Sequence, residues 1–218
     1  MRIVIAGGHG KIALIMERLL SQRGDSVAGL IRNPDQVADL EAAGAEGLVV
    51  DLENSSVADV AEHLRGADAV VFAAGAGPGS GAERKETVDR DAAILLADAA
   101  VEAGVRRYLL VSSMGADGLP DDAASDPVFT AYLRAKGAAD KAIRERTALD
   151  ATIVRPGHLT DGAGTGRVTA ADATGYGNIP RADVAAVLVA LLDAPGTVGR
   201  TFELIGGDTS IPDAVAAL

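Results

Sequence analysis

The first twenty residues leave this chain little choice of fold. Ile3, Val4, Ile5 and Ala6 form a short apolar run, Gly7-Gly8-His9-Gly10 breaks it, and Ile12, Ala13, Ile15, Met16, Leu19 and Leu20 follow at helical spacing. A buried strand, a glycine turn and a helix, in that order, open an α/β fold. They also make an anion site. Glycines let the backbone approach a phosphate, and the helix start offers free N–H groups and the positive end of its dipole. As a bare string, Gly7-x-x-Gly10-x-x-Ala13 is weak, because 26 glycines make such spacings recur. Its place between first strand and first helix gives it weight, and Ala13 still permits close helix–strand packing. The alternative is an ordinary strand-to-helix connector.

Further along, strand-like runs at 2–6, 26–31, 47–50, 68–72, 106–111, 151–155 and 200–205 alternate with helix-like segments at 11–23, 34–43, 56–65, 83–103, 128–147 and 181–193. This alternation predicts a doubly wound, mostly parallel Rossmann-type sheet with helices on both faces and a short C-terminal extension. The expected strand order is 3-2-1-4-5-6 with the late strand appended. With 218 residues, one domain over 1–218 is expected. Apolar residues make up 48% but aromatics only 3%, so Ala, Val, Ile and Leu must fill the core, as in buried parallel sheets. Two loops leave the carboxyl ends of strands, where open α/β sheets bind ligands: the glycine-rich 75–82 and the acidic 117–127. Either could equally be plain surface loop.

The end of the second strand bears on the ligand. A dinucleotide site of the NAD type carries an acid there for the ribose hydroxyls. Here the stretch reads Ala28-Gly29-Leu30-Ile31-Arg32, with no acid and an arginine whose fork suits a phosphate. NADP(H) is therefore expected in preference to NAD(H), against the alternative of a solvated arginine. The expected contacts are Gly7, Gly8, His9, Gly10, Lys11 and Ile12 around the turn, and Arg32 at the second strand. Asp51 and Leu52 would lie at the adenine, and Ala73, Ala74 and Gly75 along the flat of the cofactor.

A possible reaction centre lies downstream. The fifth strand runs into Ser112-Ser113, and Tyr132 and Lys136 are four apart on a helical segment, hence on one face. A phenol of ordinary pKa near 10 is a poor acid–base at neutral pH, and a lysine cation beside it lowers that value. Such a tyrosine exchanges a proton with a substrate oxygen while a strand-end serine holds that oxygen. The alternative is a solvated helix pair.

With these residues in view, the chain resembles the short-chain dehydrogenase/reductase superfamily, in its atypical NAD(P)-binding, NAD-dependent epimerase/dehydratase-like group. The resemblance rests on 5–10, 71–75, Val88-Asp89, 111–113, Tyr132-x-x-x-Lys136, 153–157, 181–185 and 201–204. It implies Ser113 or Ser112 as the serine, Tyr132 as the acid–base and Lys136 on the nicotinamide ribose. It also implies Asp89 where relatives carry asparagine, and Pro156 and Gly157 near the nicotinamide. The C-terminal region is too short for the sugar-nucleotide subdomain of true epimerases, and not all members of the group keep the catalytic residues.

The expectation is an NADP(H)-dependent oxidoreductase of a small carbonyl, alcohol or quinone-like substrate. Two alternatives stand beside it: an NADP(H)-binding sensor without turnover, and a nucleotide-sugar epimerase or dehydratase. A net charge of −11 speaks against nucleic acid and anionic membranes as partners. With no cysteine and with His9, His63 and His158 scattered, no metal is expected. The absence of a signal-peptide pattern and of a long apolar run suggests a cytoplasmic protein, either monomer or homodimer.

Overall fold

In the computed structural model, which describes residues 1–77, 79–118 and 126–218, the opening segment becomes β1 (Arg2–Ala6) and α1 (Lys11–Arg23). There follow β2 (Ser26–Ile31), α2 (Val37–Ala42), β3 (Glu46–Val49), α3 (Val57–Leu64), β4 (Ala69–Phe72) and the short α4 (Ala82–Arg84). After a π-helical stretch, Lys85–Ala92, come α5 (Ala93–Ala103), β5 (Arg107–Val111), α6 (Pro127–Arg144) and β6 (Asp150–Pro156). The chain ends with β7 (His158–Thr160), β8 (Arg167–Ala171), β9 (Asn178–Pro180), α7 (Arg181–Leu192), β10 (Thr201–Gly206), β11 (Thr209–Ser210) and α8 (Ile211–Ala216).

Among the described residues, nine strands form one sheet in the order β11-β8-β10-β6-β5-β4-β1-β2-β3. Every pairing from β10 across to β3 is parallel. Only β8, between β10 and β11, runs antiparallel to its neighbours. The late strand expected at 200–205 is β10, paired with β6. β7 and β9 form a separate parallel pair.

Alternation along β1 shows how both faces are covered. Ile3 and Ile5 pack into a core shared with α1 and α7, whereas Val4 and Ala6 pack into one shared with α3, α5 and α6. All four are fully buried, which is why the run is continuously apolar. The C-terminal extension adds Ile211, Ala214 and Val215 of α8 to the first of these cores. The strand order reverses between β1 and β4, the position at which such sheets open a ligand crevice.

The helix expected over 83–103 is not one regular helix. Its first part winds as α4 and then as a π-helix, and the wider turn sets Val88, Asp89 and Ala92 inward. Most of the acidic loop (119–125), and Pro78 in the glycine-rich one, lie outside the described residues.

Candidate functional site

The glycine turn sits where the carboxyl ends of β1, β2 and β4 converge. Gly7 and Gly8 both donate their N–H to the Leu30 carbonyl at 3.1 Å, tying the turn to β2. Gly7 has φ +79°, and a Cβ there would lie 2.6 Å from the Ala74 Cα, so only glycine fits against β4. Gly10 donates to the Gly7 carbonyl at 2.8 Å and caps α1, whose first turn has neither a side-chain cap nor an acid. That helix start thus presents its N–H groups with no side-chain acceptor among the described residues.

Two adjoining cavities, the first of them bordered by this turn, share Ala73, Ala74 and Gly75 as a common floor. The first, about 310 Å³, is lined by Gly7, His9 and Gly10 and by the ends of β2 and β3. Arg32 projects there and donates Nη1 to Glu53 Oε2 at 2.9 Å. Arg84 reaches the same oxygen through Nη2 at 2.7 Å, and Thr87 Oγ1 donates to Glu53 Oε1 at 2.7 Å. The Asp51 carboxylate holds its own loop, accepting from the Glu53 N–H at 3.0 Å and from Asn54 Nδ2 at 2.8 Å. His9 Nε2 lies 2.8 Å from Asp39 Oδ2.

The second cavity, about 460 Å³, gathers Tyr132, Lys136, Ser112, Asp89, Lys85 and Phe129. Lys136 is buried, donates Nζ to the Val111 carbonyl at 3.1 Å and pairs with Asp89 Oδ1 at 3.2 Å. Its ammonium lies 5.9 Å from the centroid of the Tyr132 ring and 5.7 Å from that of Phe72. Asp89 Oδ2 accepts the Ala76 N–H at 3.2 Å, so one carboxylate joins the lysine to the glycine-rich loop. Lys85 stands 5.5 Å from the Tyr132 ring centroid and donates to the Gly77 carbonyl at 2.9 Å. The Tyr132 hydroxyl makes no hydrogen bond among the described residues.

Behind the cavity a charge network, buried at Arg155 and Asp140 and exposed at Asp117, holds the ends of β5 and β6. Arg155 donates Nε to Asp140 Oδ2 at 2.8 Å and grips Asp117 with both Nη groups at 2.5 and 2.6 Å. The Arg155 guanidinium holds the Asp117 carboxyl below its usual range. Burial holds that of Asp140 above it, with the nearby Ser112 hydroxyl and Arg155 pulling the other way. Ser112 lies beside Asp140 without a well-formed hydrogen bond. A second buried carboxyl, Glu17 of α1, sits under the glycine turn and is pushed up to about 8 by burial.

The expected residues divide accordingly. Gly7, His9, Gly10, Arg32, Asp51, Leu52, Ala73, Ala74 and Gly75 line the first cavity. Ile12, Asp89, Ser112, Tyr132 and Lys136 line the second. Of the two serines, Ser112 faces it, while the Ser113 hydroxyl donates to the Met114 carbonyl at 3.1 Å. Gly8 is packed beneath the turn, where a Cβ would lie 2.8 Å from the Gly29 Cα. Lys11 turns away to Asp161, 2.6 Å off. Pro156 and Gly157 line neither cavity, and a Cβ on Gly157 would lie 2.3 Å from the Gly177 carbonyl oxygen. His158 is exposed beside it, and His63 lies in the last turn of α3. Glu53, Arg84 and Lys85 were not expected. Their only signals in the sequence were an acid two residues past Asp51 and a basic pair closing the glycine-rich loop. Among the described residues no metal-binding cluster occurs, and no helix is long and apolar enough to cross a membrane.

The fold agrees with what the chain is similar to. A family model described as NAD(P)H-binding matches residues 7–195. The chain is 38% identical to the uncharacterized sugar epimerase YhfK of Bacillus subtilis, over 100% of both. Among solved structures it is similar to a Bacillus halodurans protein assigned provisionally as an NAD-dependent epimerase/dehydratase, with TM-score 0.90 and 36% identity over 100% of both chains. It is also similar to ChuY, an anaerobillin reductase of Escherichia coli O157:H7, with TM-score 0.79 and 27% identity over 96% of this chain and 99% of that one.

Proposed function

The chain belongs to the NAD(P)H-binding family, and on that premise we propose that it is an NADP(H)-dependent oxidoreductase of a small carbonyl, alcohol or quinone-like substrate. One observation carries the reading: Tyr132, Ser112 and the Lys136–Asp89 pair converge on a cavity that shares its floor, Ala73 to Gly75, with the cavity beside the glycine turn. The uncapped start of α1, the Gly7–Ala74 contact and a buried Arg84 Nε without a partner among the described residues all fit a bound dinucleotide phosphate. A reduced nicotinamide cofactor, if held by these residues, would supply the hydride for a substrate carbonyl carbon.

The chain's own groups handle the proton. Ser112 Oγ, buried and not committed to a hydrogen bond, donates to the substrate oxygen and orients it. Tyr132 gives that oxygen its phenolic proton, and Lys136 sets positive charge beside the phenolate left behind. Asp89 anchors the lysine, through which it acts as a positioning residue. Phe129, 6.0 Å from Tyr132 centroid to centroid and roughly parallel to it, covers the apolar side of the cavity.

Epimerase chemistry is the second reading, favoured by the names of two relatives. An epimerase returns its hydride and consumes no cofactor overall. A screen of aldehydes, ketones and quinones that follows NADPH absorbance separates the two. Substrate-dependent oxidation supports the oxidoreductase. Its absence across the panel, with NADPH still bound, counts against it. The NADP preference is checked separately by calorimetry with NADPH and NADH, and equal affinities refute it.

A further inference from the structure

Two guanidinium groups from separate segments lining the first cavity meet on a single carboxylate. Arg32 comes from the end of β2 and Arg84 from α4, and both donate to Glu53 Oε2, at 2.9 and 2.7 Å. Their combined charge exceeds that of Glu53 by one. The other acid lining this cavity, Asp51, is engaged by its own loop. Arg84 also holds a buried Nε with no partner among the described residues, a donor that the single glutamate leaves unmet. A carboxylate between two forked cations is a smaller copy of a phosphate monoester, whose three terminal oxygens and double charge would satisfy both arginines and the orphaned Nε more fully.

We propose that Arg32 and Arg84 together form the subsite for the 2′-phosphate of NADP(H), that the Glu53 carboxylate fills this subsite when no phosphate is there, and that Glu53 thereby limits how strongly NADP(H) is preferred. The subsite rests on the reading of the first cavity as the adenosine end of a dinucleotide site. The phosphate dianion and Glu53 repel one another, so the carboxylate must leave the arginines before the phosphate can take them. An NAD(H) ribose carries no such charge and meets no such competition. Arg84 follows directly from the glycine-rich loop and precedes the π-helical stretch that carries Asp89, so the subsite is continuous with the wall of the second cavity.

The test is calorimetric titration of NADPH and NADH into the unmutated protein, Glu53→Gln and Arg84→Met, with thermal unfolding as the check on folding. Glu53→Gln keeps the shape and removes the competing charge. It should tighten NADPH about tenfold and change NADH by less than about twofold. Arg84→Met should weaken NADPH about tenfold, again sparing NADH. Should Arg84→Met fail to fold, Arg84→Lys keeps the charge without the fork and must weaken NADPH in the same direction. A ratio of the two affinities that stays put, or moves the opposite way in either variant, overturns the proposal. Selective loss of NADH binding in Glu53→Gln would do so too, by making Glu53 an acceptor for the ribose hydroxyls. If the unmutated protein prefers NADH but Glu53→Gln still shifts the ratio toward NADPH, the NADP(H) reading fails and the subsite stands. Binding of neither cofactor refutes both.

Discussion

Replacing Glu17 by glutamine should change how stability depends on pH more than it changes the structure. Glu17 is fully buried in α1, and neither carboxyl oxygen has a partner among the described residues. Gly8 and Gly29 make room for it, since a Cβ on Gly29 would come within 2.7 Å of Glu17 Oε1. Burial therefore holds its proton up to about 8, against an ordinary value of 4.5, with Arg18 pulling slightly the other way. The folded-state value is raised, so the favourable contribution is complete below the unfolded value. It is lost as pH rises through the folded one. At about 1.4 kcal/mol per pH unit, the window between the two is worth roughly 4–5 kcal/mol. The glutamine variant keeps the shape and has nothing to ionise. Urea unfolding followed by circular dichroism at steps from pH 5 to pH 8.5 should show the two proteins close together at the acid end. The variant should pull ahead by several kcal/mol at the alkaline end, roughly the span above. Parallel curves would refute the reasoning, because they would mean that Glu17 is ionised in the fold or reaches water.

Three further outcomes are expected. Tyr132→Phe should leave NADPH affinity within about twofold and lower turnover by roughly two to four orders of magnitude, as single-turnover and steady-state rates on any substrate found would show. Gly10→Val should fold, yet lose detectable NADPH binding in calorimetry, because its branched side chain stands at the open start of α1 and crowds the Gly7 carbonyl, 3.0 Å from the added Cβ. Arg155→Met should cost about 3–5 kcal/mol near neutral pH by denaturant unfolding, since it strips the fully buried Asp140 of its cation. The loss should shrink in acid, where a protonated Asp140 no longer needs that cation.

Local pattern was enough for the frame of this protein. The stretches 3–6, 27–31 and 108–111 are buried on both faces of a parallel sheet, so they carry almost no polar side chain, and the glycines between β1 and α1 make a compact turn against β4. The reversal of strand order at β1 and the four-residue spacing of Tyr132 and Lys136 on one face of α6 could be reasoned from the same periodicities. The edge strands β8 and β11 could not. They are short, mostly half-exposed and paired antiparallel, and β8 joins the sheet only through β10, as β11 does only through β8. Nor could spacing choose between Ser112 and Ser113, since neighbouring side chains at a strand end point opposite ways and the turn after β5 decides which meets the cavity. Arg32 shows the same limit most clearly. Its place after β2 marks it as a candidate for a phosphate contact, but the Glu53 carboxylate that pairs with it comes from 21 residues further on and the second arginine, Arg84, from the short helix α4. Electrostatic partners of that kind are assembled across the sheet by the winding of the chain, and a charge written in one segment acquires its meaning only from the charges that folding brings within 3 Å of it.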